Sequence, residues 1–302
     1  MNPLVTIVIP TYNRLRLVQQ AIASVVAQTY TNWELIIADD GSDDRTSEMI
    51  FAMNDSRIKV IELVHSGNIA ALRNMAVSKG KGEWLAFLDS DDIWMPRKLE
   101  IQLFSLLKEK KRWGYGGYEL MNNEMQVIPA KAGKYRPISG WIIEDVLSTE
   151  ASVNIGTLMV ERTLFEEAGG FNMSSELLYR EDYELVIRLS LQSEALAVSE
   201  LLMRVREHAG RVTNAFGYGN DRTAAVYEYF IRTNPEKQLA KIATSRLASE
   251  LAESAIIRIR KKEYLNAIKR LGKALVNGVR IRKLLSVIRR GFTKQPNIHL
   301  TN

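Results

Sequence analysis

A chain of 302 residues with 46% hydrophobic content is long enough for one large domain, or a domain and an appendage, and too apolar to be disordered. It contains no cysteine, which excludes a disulfide framework and a thiolate metal site. The net charge of +6 is unevenly spread: Ser254–Asn302 holds 13 Lys and Arg against one acid, Glu263, a local +12 that leaves −6 on the first 253 residues. Such a division points to two regions with different tasks. No apolar run reaches about 18 residues, so no membrane-crossing helix is expected. The opening "MNPLVTIVIPTYNR" lacks the basic and long apolar segments of a signal peptide, and a cytoplasmic protein is the default expectation.

"LVTIVIP" (4–10) is a short β-branched apolar run closed by proline, which predicts a buried, parallel strand. Thr11 and Asn13 are candidate caps for the helix that follows, where Leu17, Val18, Ala21, Ile22, Val25 and Val26 recur at helical spacing. "WELIIADDGSDD" (33–44) predicts a second buried strand running into acids and a Gly-Ser turn, with a helix from Arg45 to Met53. "IKVIELV" (58–64) is a third strand, and "GNIAALRNMAVSKG" (67–80) a helix stopped near Gly80 and Gly82. "EWLAFLD" (83–89) is a fourth strand and 95–111 a fourth helix. Residues 113–215 are mixed, with a helix at 180–193, and the pattern is helical from Asp221 onward.

The βαβαβαβα order with short connections predicts a doubly wound α/β sheet of mostly parallel strands. Ligands of such sheets bind beyond the carboxyl ends of the strands. "PTYNR", "DDGSDD" and "DSDD" all fall at those ends. Asp89, Asp91 and Asp92 form an Asp-x-Asp with a neighbour, and carboxylate oxygens suit Mg²⁺ or Mn²⁺. The plain alternative is a solvated turn capping the next helix. Asp39 and Asp40 can accept from a base or a ribose, or build an Asx-turn. Tyr12 can stack on a base and Arg14 can face phosphate. Glu181 and Asp182 at a helix start either complement its dipole or supply a general base. His208 reads as structural, or faces a diphosphate or its metal together with Arg206 and Arg211. A Gly-x-Gly-x-x-Gly after the first strand is absent, which argues against hydride transfer.

Taken in order, "VIPTYNR", "DDGSDD", "GNIAALRN", "GEWLAFLDSDDIWMP", "GGF" and "REDYELVIRL" resemble the family-2 glycosyltransferases with the A-type fold, over about residues 3–215. The resemblance implies a single Rossmann-like catalytic domain (1–215) and leaves a basic, helical C-terminal extension (216–302). It implies a nucleotide-sugar donor, usually a UDP-sugar, metal-assisted transfer with inversion, and a glycan or lipid-linked acceptor in bacterial surface polysaccharide synthesis. Pro10, Tyr12, Asn13 and Arg14 match the first nucleotide-binding segment, and Asp39 the acid that contacts the base. Asn68 and Arg73 match the segment lining the nucleotide pocket. Asp89 and Asp91 match the Asp-x-Asp, with Asp91 the direct metal ligand and Asp89 nearer the ribose. Asp182 matches the catalytic base, with Glu181 as its neighbour, and His208 a histidine near the diphosphate.

The basic tail lies outside the resemblance. Its cations interleave with Ile256, Ile257, Ile259, Leu265, Ile268, Leu271, Leu275, Val279, Leu284, Leu285 and Ile288. That suits a helix on an anionic membrane surface, at the inner face of the cytoplasmic membrane, or a bundle packed on the catalytic domain. No nucleic-acid reading motif is present. Two other functions are weighed: a sugar nucleotidyltransferase, which needs a Gly-rich phosphate loop that "PTYNRL" is not, and a non-catalytic nucleotide-sugar-binding protein.

Overall fold

In the computed structural model, which describes residues 2–129, 135–208, 219–234 and 236–278, the chain divides into two compact units near residue 211. The first opens with β1 (Val5–Thr11), α1 (Leu15–Val26), β2 (Trp33–Asp39), α2 (Thr46–Ala52), β3 (Ile58–Glu62), α3 (Ile69–Lys79) and β4 (Trp84–Phe87). It continues with β5 (Ile93–Trp94), α4 (Lys98–Glu109), β6 (Trp113–Met121), α5 (Ile143–Ser148), β7 (Met159–Glu161), α6 (Arg162–Glu167), α7 (Glu181–Gln192) and β8 (Ala195–Arg206). The eight strands form one sheet in the order β3-β2-β1-β4-β7-β6-β8-β5. Pairing is parallel along β3-β2-β1-β4 and between β6 and β8, and antiparallel at β4-β7, β7-β6 and β8-β5. Six strands therefore share one direction and only β5 and β7 oppose it.

β1, β2 and β4 are buried along their whole length, as continuous β-branched and aromatic runs require when both sheet faces are covered. Val5 lies opposite Trp33 on one side and Trp84 on the other, which sets the register of the central strands. That register brings the ends of β1, β2 and β4 to one rim. Gly82 permits it: a Cβ there would stand 2.3 Å from the Thr6 backbone nitrogen.

Two local expectations are corrected. Neither Thr11 nor Asn13 caps α1; the N–H of Leu15 donates to Asp44 Oδ2 at 2.9 Å, so the cap comes from the loop after β2. The fourth helix is shorter than 95–111, because Ile93 and Trp94 pair with β8 and the Met95 N–H donates to the Leu202 carbonyl at 2.8 Å. The chain is extended through Trp94 and turns at Pro96 and Arg97 into the helix, with the Lys98 N–H donating to the Met95 carbonyl at 3.1 Å.

Lys98 is fully buried, its Nζ has no hydrogen-bond partner, and it lies 4.1 Å from the centre of the Trp94 ring. Burial pushes the amine well below its ordinary pKa of 10.5. The folded chain binds this proton less tightly than the unfolded chain, which costs stability as pH falls below 10.5. Lys98→Met keeps the length of the side chain and removes the unsatisfied nitrogen. It is expected to raise stability by about 1–3 kcal/mol at pH 7, measured by urea unfolding.

The second unit contains α8 (Gly219–Thr233), α9 (Lys237–Arg260) and α10 (Tyr264–Val276). Val226, Tyr227 and Phe230 of α8 and Leu239, Leu247, Leu251, Ile256 and Ile259 of α9 are buried. Part of the basic charge is neutralised within this unit: Arg258 and Arg270 pair with Asp221 at 2.6 and 3.1 Å, and Lys273 with Glu228 at 3.5 Å. α9, expected to offer its isoleucines to a membrane or a bundle, uses Ile256 and Ile259 as core. Val279, Leu284, Leu285 and Ile288 lie outside the described residues.

Candidate active site at the carboxyl rim of the sheet

The loop after β4 carries the Asp-x-Asp. Asp91 Oδ2 receives the Arg14 guanidinium at 2.7 Å and faces His208 Nε2 at 2.9 Å. Arg14 arrives from the end of β1 and His208 from just beyond β8. Asp89 Oδ1 accepts from Arg73 Nη2 at 2.7 Å, and Arg73 Nη1 donates to Glu181 Oε1 at 2.6 Å. Asp89 and Asp91 thus have separate partners, and the start of α7 is tied to Asp89 through one guanidinium.

Arg73 is 2% exposed. Burial alone would lower its pKa; Asp89, Glu181 and Asp182 raise it, so the cation is held. Glu181 is also buried, and its Oε2 has no hydrogen-bond partner. Burial raises its pKa above the ordinary 4.5, Arg73 pulls it down, and Asp182 and Asp89 push it up again. The two directions agree on one physical point: three carboxylates share one guanidinium, and negative charge is in excess.

Asp182, one residue further along α7, is half-buried and accepts from the Tyr183 N–H at 2.7 Å. Glu181 and Asp182 were both expected in the catalytic role. The structure separates them, because Glu181 is enclosed against Arg73 and only Asp182 reaches a partly open surface.

The loops after β1, β2 and β3 are interlocked. Asn13 adopts φ +49°, donates its N–H to Ser42 Oγ at 2.8 Å and accepts from the Asp43 N–H at 2.9 Å. Asp39, expected at the base, is 2% exposed; its two oxygens accept from the Ser42 and Ser47 hydroxyls at 2.5 and 2.7 Å, and Oδ1 also accepts from the Ser42 N–H at 3.2 Å. Asp40 accepts from Ser66 and Gly67, each backbone N–H at 2.9 Å, and so fixes the loop that leads into α3. Pro10 is buried inside β1 opposite Ala38, one residue before the strand ends at Thr11. Asn68 caps α3, accepting from the Ala71 N–H at 3.2 Å.

Arg206 departs from the expected diphosphate contact. It is 1% exposed behind the acidic loop, donating to the Asp91 carbonyl at 3.0 Å and to Gln20 Oε1 at 2.6 Å, while its N–H donates to Asp92 Oδ1 at 2.9 Å. It shapes the loop from the rear. Arg211 lies outside the described residues.

Three contributors had no signal in local spacing. His65 stacks on Tyr12 with ring centres 4.0 Å apart and planes at 21°, a two-ring platform at the rim. Asp44 caps α1. Asn74 clamps the Phe171 backbone, donating to its carbonyl at 2.8 Å and accepting from its N–H at 2.9 Å. Gly170 beside it has φ +68°, and a Cβ would stand 3.0 Å from Asn74 Oδ1, which accounts for the glycine in "GGF".

Comparison with known proteins bears on this rim. The sequence profile of Glycosyl transferase family 2 matches residues 6–118. The chain is 34% identical over 196 residues to the Escherichia coli UDP-Glc:alpha-D-GlcNAc-diphosphoundecaprenol beta-1,3-glucosyltransferase WfgD, spanning 65% of this chain and 73% of that protein. Among solved structures, S. aureus TarS 1-349 in complex with UDP-GlcNAc superposes with a TM-score of 0.68 at 15% identity, covering 95% of this chain and 92% of that one. The mannosyltransferase PcManGT of Pyrobaculum calidifontis, in complex with GDP-Man and Mn²⁺, does so with a TM-score of 0.63 at 16% identity, covering 96% and 79%. These two share the fold, an A-type glycosyltransferase sheet. With an acid-bearing loop after β4 and a relative of this identity and coverage, the chain belongs to glycosyl transferase family 2 and is a glycosyltransferase.

Proposed function

We propose that the chain transfers a sugar, with inversion, from a UDP-sugar to a hydroxyl of a glycan or lipid-linked acceptor in surface polysaccharide synthesis. The observation that carries this is the path Asp91–loop–Asp89–Arg73–Glu181, which joins the acidic loop to the helix start bearing Asp182. The nucleotide enters over Tyr12 and His65, whose stacked rings extend naturally to a third aromatic plane. Asn13 and Ser42 hold the turn beneath it, and Asp39 acts through that turn. Arg14 and His208, now on Asp91, are the cationic and imidazole groups placed to receive a diphosphate.

The residues fit a divalent ion. Among the described residues no group of three His, Asp or Glu forms a ready cage. Mg²⁺ commonly takes one or two carboxylates and completes its shell from substrate phosphates, and the excess of negative charge around Arg73 favours a cation. Asp91, Asp89 and His208 would hold it. Mn²⁺ accompanies the nucleotide sugar in the structure of PcManGT. When bound, such an ion offsets charge on a departing diphosphate. Asp182 takes the proton from the acceptor hydroxyl as its oxygen attacks the anomeric carbon. Glu181 and Arg73 position that helix start. WfgD is named for a diphosphoundecaprenol acceptor; a comparable acceptor here would bring the enzyme to a membrane surface, for which 254–302 supplies positive charge.

The test is thermal unfolding with UDP compounds, with and without Mn²⁺. At 100 times its dissociation constant a ligand specific to the folded state adds about 2.7 kcal/mol. A Mn²⁺-dependent rise with UDP-sugars is expected for the native chain and is lost in Asp91→Ala. An equal rise in Asp91→Ala would remove the metal and diphosphate assignment.

A further inference from the structure

α10 carries more apolar surface than its own bundle covers. At 100° per residue, Ala267, Leu271 and Ala274 lie along one line of the helix. That line packs against Ala255 and Ile259 of α9. Directly beside it on the helix wheel run Tyr264, Leu275, Ile268, Leu265 and Val276. All five are exposed, Leu265 at 78% and Val276 at 88%. The remaining arc holds Lys269, Lys273, Asn266 and Arg270. A helix packed on a core ordinarily turns polar residues to every other direction. α10 is polar on one flank and apolar on the other.

The charge that the chain from Tyr264 onward brings to this second face is positive, and the acid beside it, Glu228 of α8 next to Val276, is paired with Lys273 at 3.5 Å. Lys262 and Lys269 are exposed next to it. From Tyr264 to Asn302 the sequence has nine Lys and Arg and no Asp or Glu. A second copy would bring an equally positive surface and be repelled. No helix among the described residues is long and apolar enough to cross a membrane. A helix with an apolar stripe bordered by lysines matches a membrane surface, which supplies apolar depth and negative headgroups together.

We propose that the Tyr264–Leu265–Ile268–Leu275–Val276 face of α10 docks on an anionic lipid membrane, with the helix axis in the plane of the interface. This assigns the membrane contact to one helix face and rests only on the membrane part of the proposed function. Donor binding is measured on the same samples, so failure of one is distinguished from failure of the other.

The experiment floats the full chain with vesicles of phosphatidylcholine alone and of phosphatidylcholine containing about a third phosphatidylglycerol. Recovery with the anionic vesicles, reversed by salt, is expected, with little on the neutral ones. Leu265→Gln/Ile268→Gln changes only exposed side chains and retains every cation. It is expected to lower the partition coefficient about tenfold for each side chain removed from the lipid. Its unfolding transition and its UDP-induced thermal shift should equal those of the native chain. A native chain that does not float overturns the proposal, as does a double variant that floats equally well. A concentration-dependent dimer that the double variant dissociates, without vesicle binding, would assign the face to a second copy and also overturn it.

Discussion

Asp182→Asn is expected to lower turnover by about 10²–10⁴-fold while leaving donor binding within about twofold of the native chain. The amide has the size of the carboxylate and can still accept the 2.7 Å bond from Tyr183 N–H, so the helix start should not move. What it loses is the ability to take a proton at neutral pH. Donor binding, which we propose runs through Tyr12, Arg14 and Asp91, is the internal control. Glu181→Gln makes the contrast. It retains an acceptor for Arg73 and removes no proton-accepting group from the open surface, so a smaller loss is expected. Single-turnover transfer with a UDP-sugar separates the two variants. Near-native turnover in Asp182→Asn, or an equal collapse in Glu181→Gln, would move the base assignment elsewhere.

The second large effect is on stability. Arg73→Met is expected to cost about 3–5 kcal/mol, because it strands the buried Glu181 and leaves Asp89 without its guanidinium. Arg73→Lys keeps a charge without the two-pronged geometry that reaches both carboxylates, and an intermediate loss is expected. The pH dependence gives a further signature. Burial, with help from Asp182 and Asp89, raises Glu181 above 4.5 against the pull of Arg73. The folded chain therefore keeps this proton where the unfolded chain has lost it. That contribution to stability is fully present below pH 4.5 and is lost as pH rises through the raised value. Removing Arg73 raises Glu181 further and steepens the loss; Glu181→Gln abolishes it. Urea unfolding from pH 4 upward measures all three chains. An unchanged pH profile in Arg73→Met would show that the guanidinium does not govern this carboxyl.

β1, β2 and β4 were legible because they are buried along their whole length. "VTIVIP", "WELIIA" and "WLAF" are nearly continuous apolar runs, broken only by Thr6 and Glu34, which bond each other at 2.9 Å, and a strand covered on both sides reads that way. Their ends were legible for the same reason: a carboxylate following such a run must lie where the chain leaves the core. β5, β6, β7 and β8 were not resolved in advance. β6 contains three glycines in "WGYGGYELM" and lies against Leu196, Leu201 and Leu202 of β8, so it lacks the alternation a reader looks for. β5 is two residues long and exists only because β8 pairs with it.

The site divides along the same line. The sequence by itself determined which strand ends carry acids, rings and guanidiniums, since burial of a strand is written in its own residues. Only the tertiary structure decided who meets whom. Arg73, inside "ALRNMA", is matched by the resemblance to the nucleotide pocket, but its partners, Glu181, 108 positions away, and Asp89, appear only in the structure. Arg206 and His208 are two residues apart, but one is enclosed behind the acidic loop and the other faces Asp91 across it. Tyr12 and His65 meet because β1 and β3 flank β2 in the order β3-β2-β1-β4. Local spacing records how a segment buries itself; the pairing of charges and rings between segments depends on strand order and register, which are set by the packing of the whole sheet.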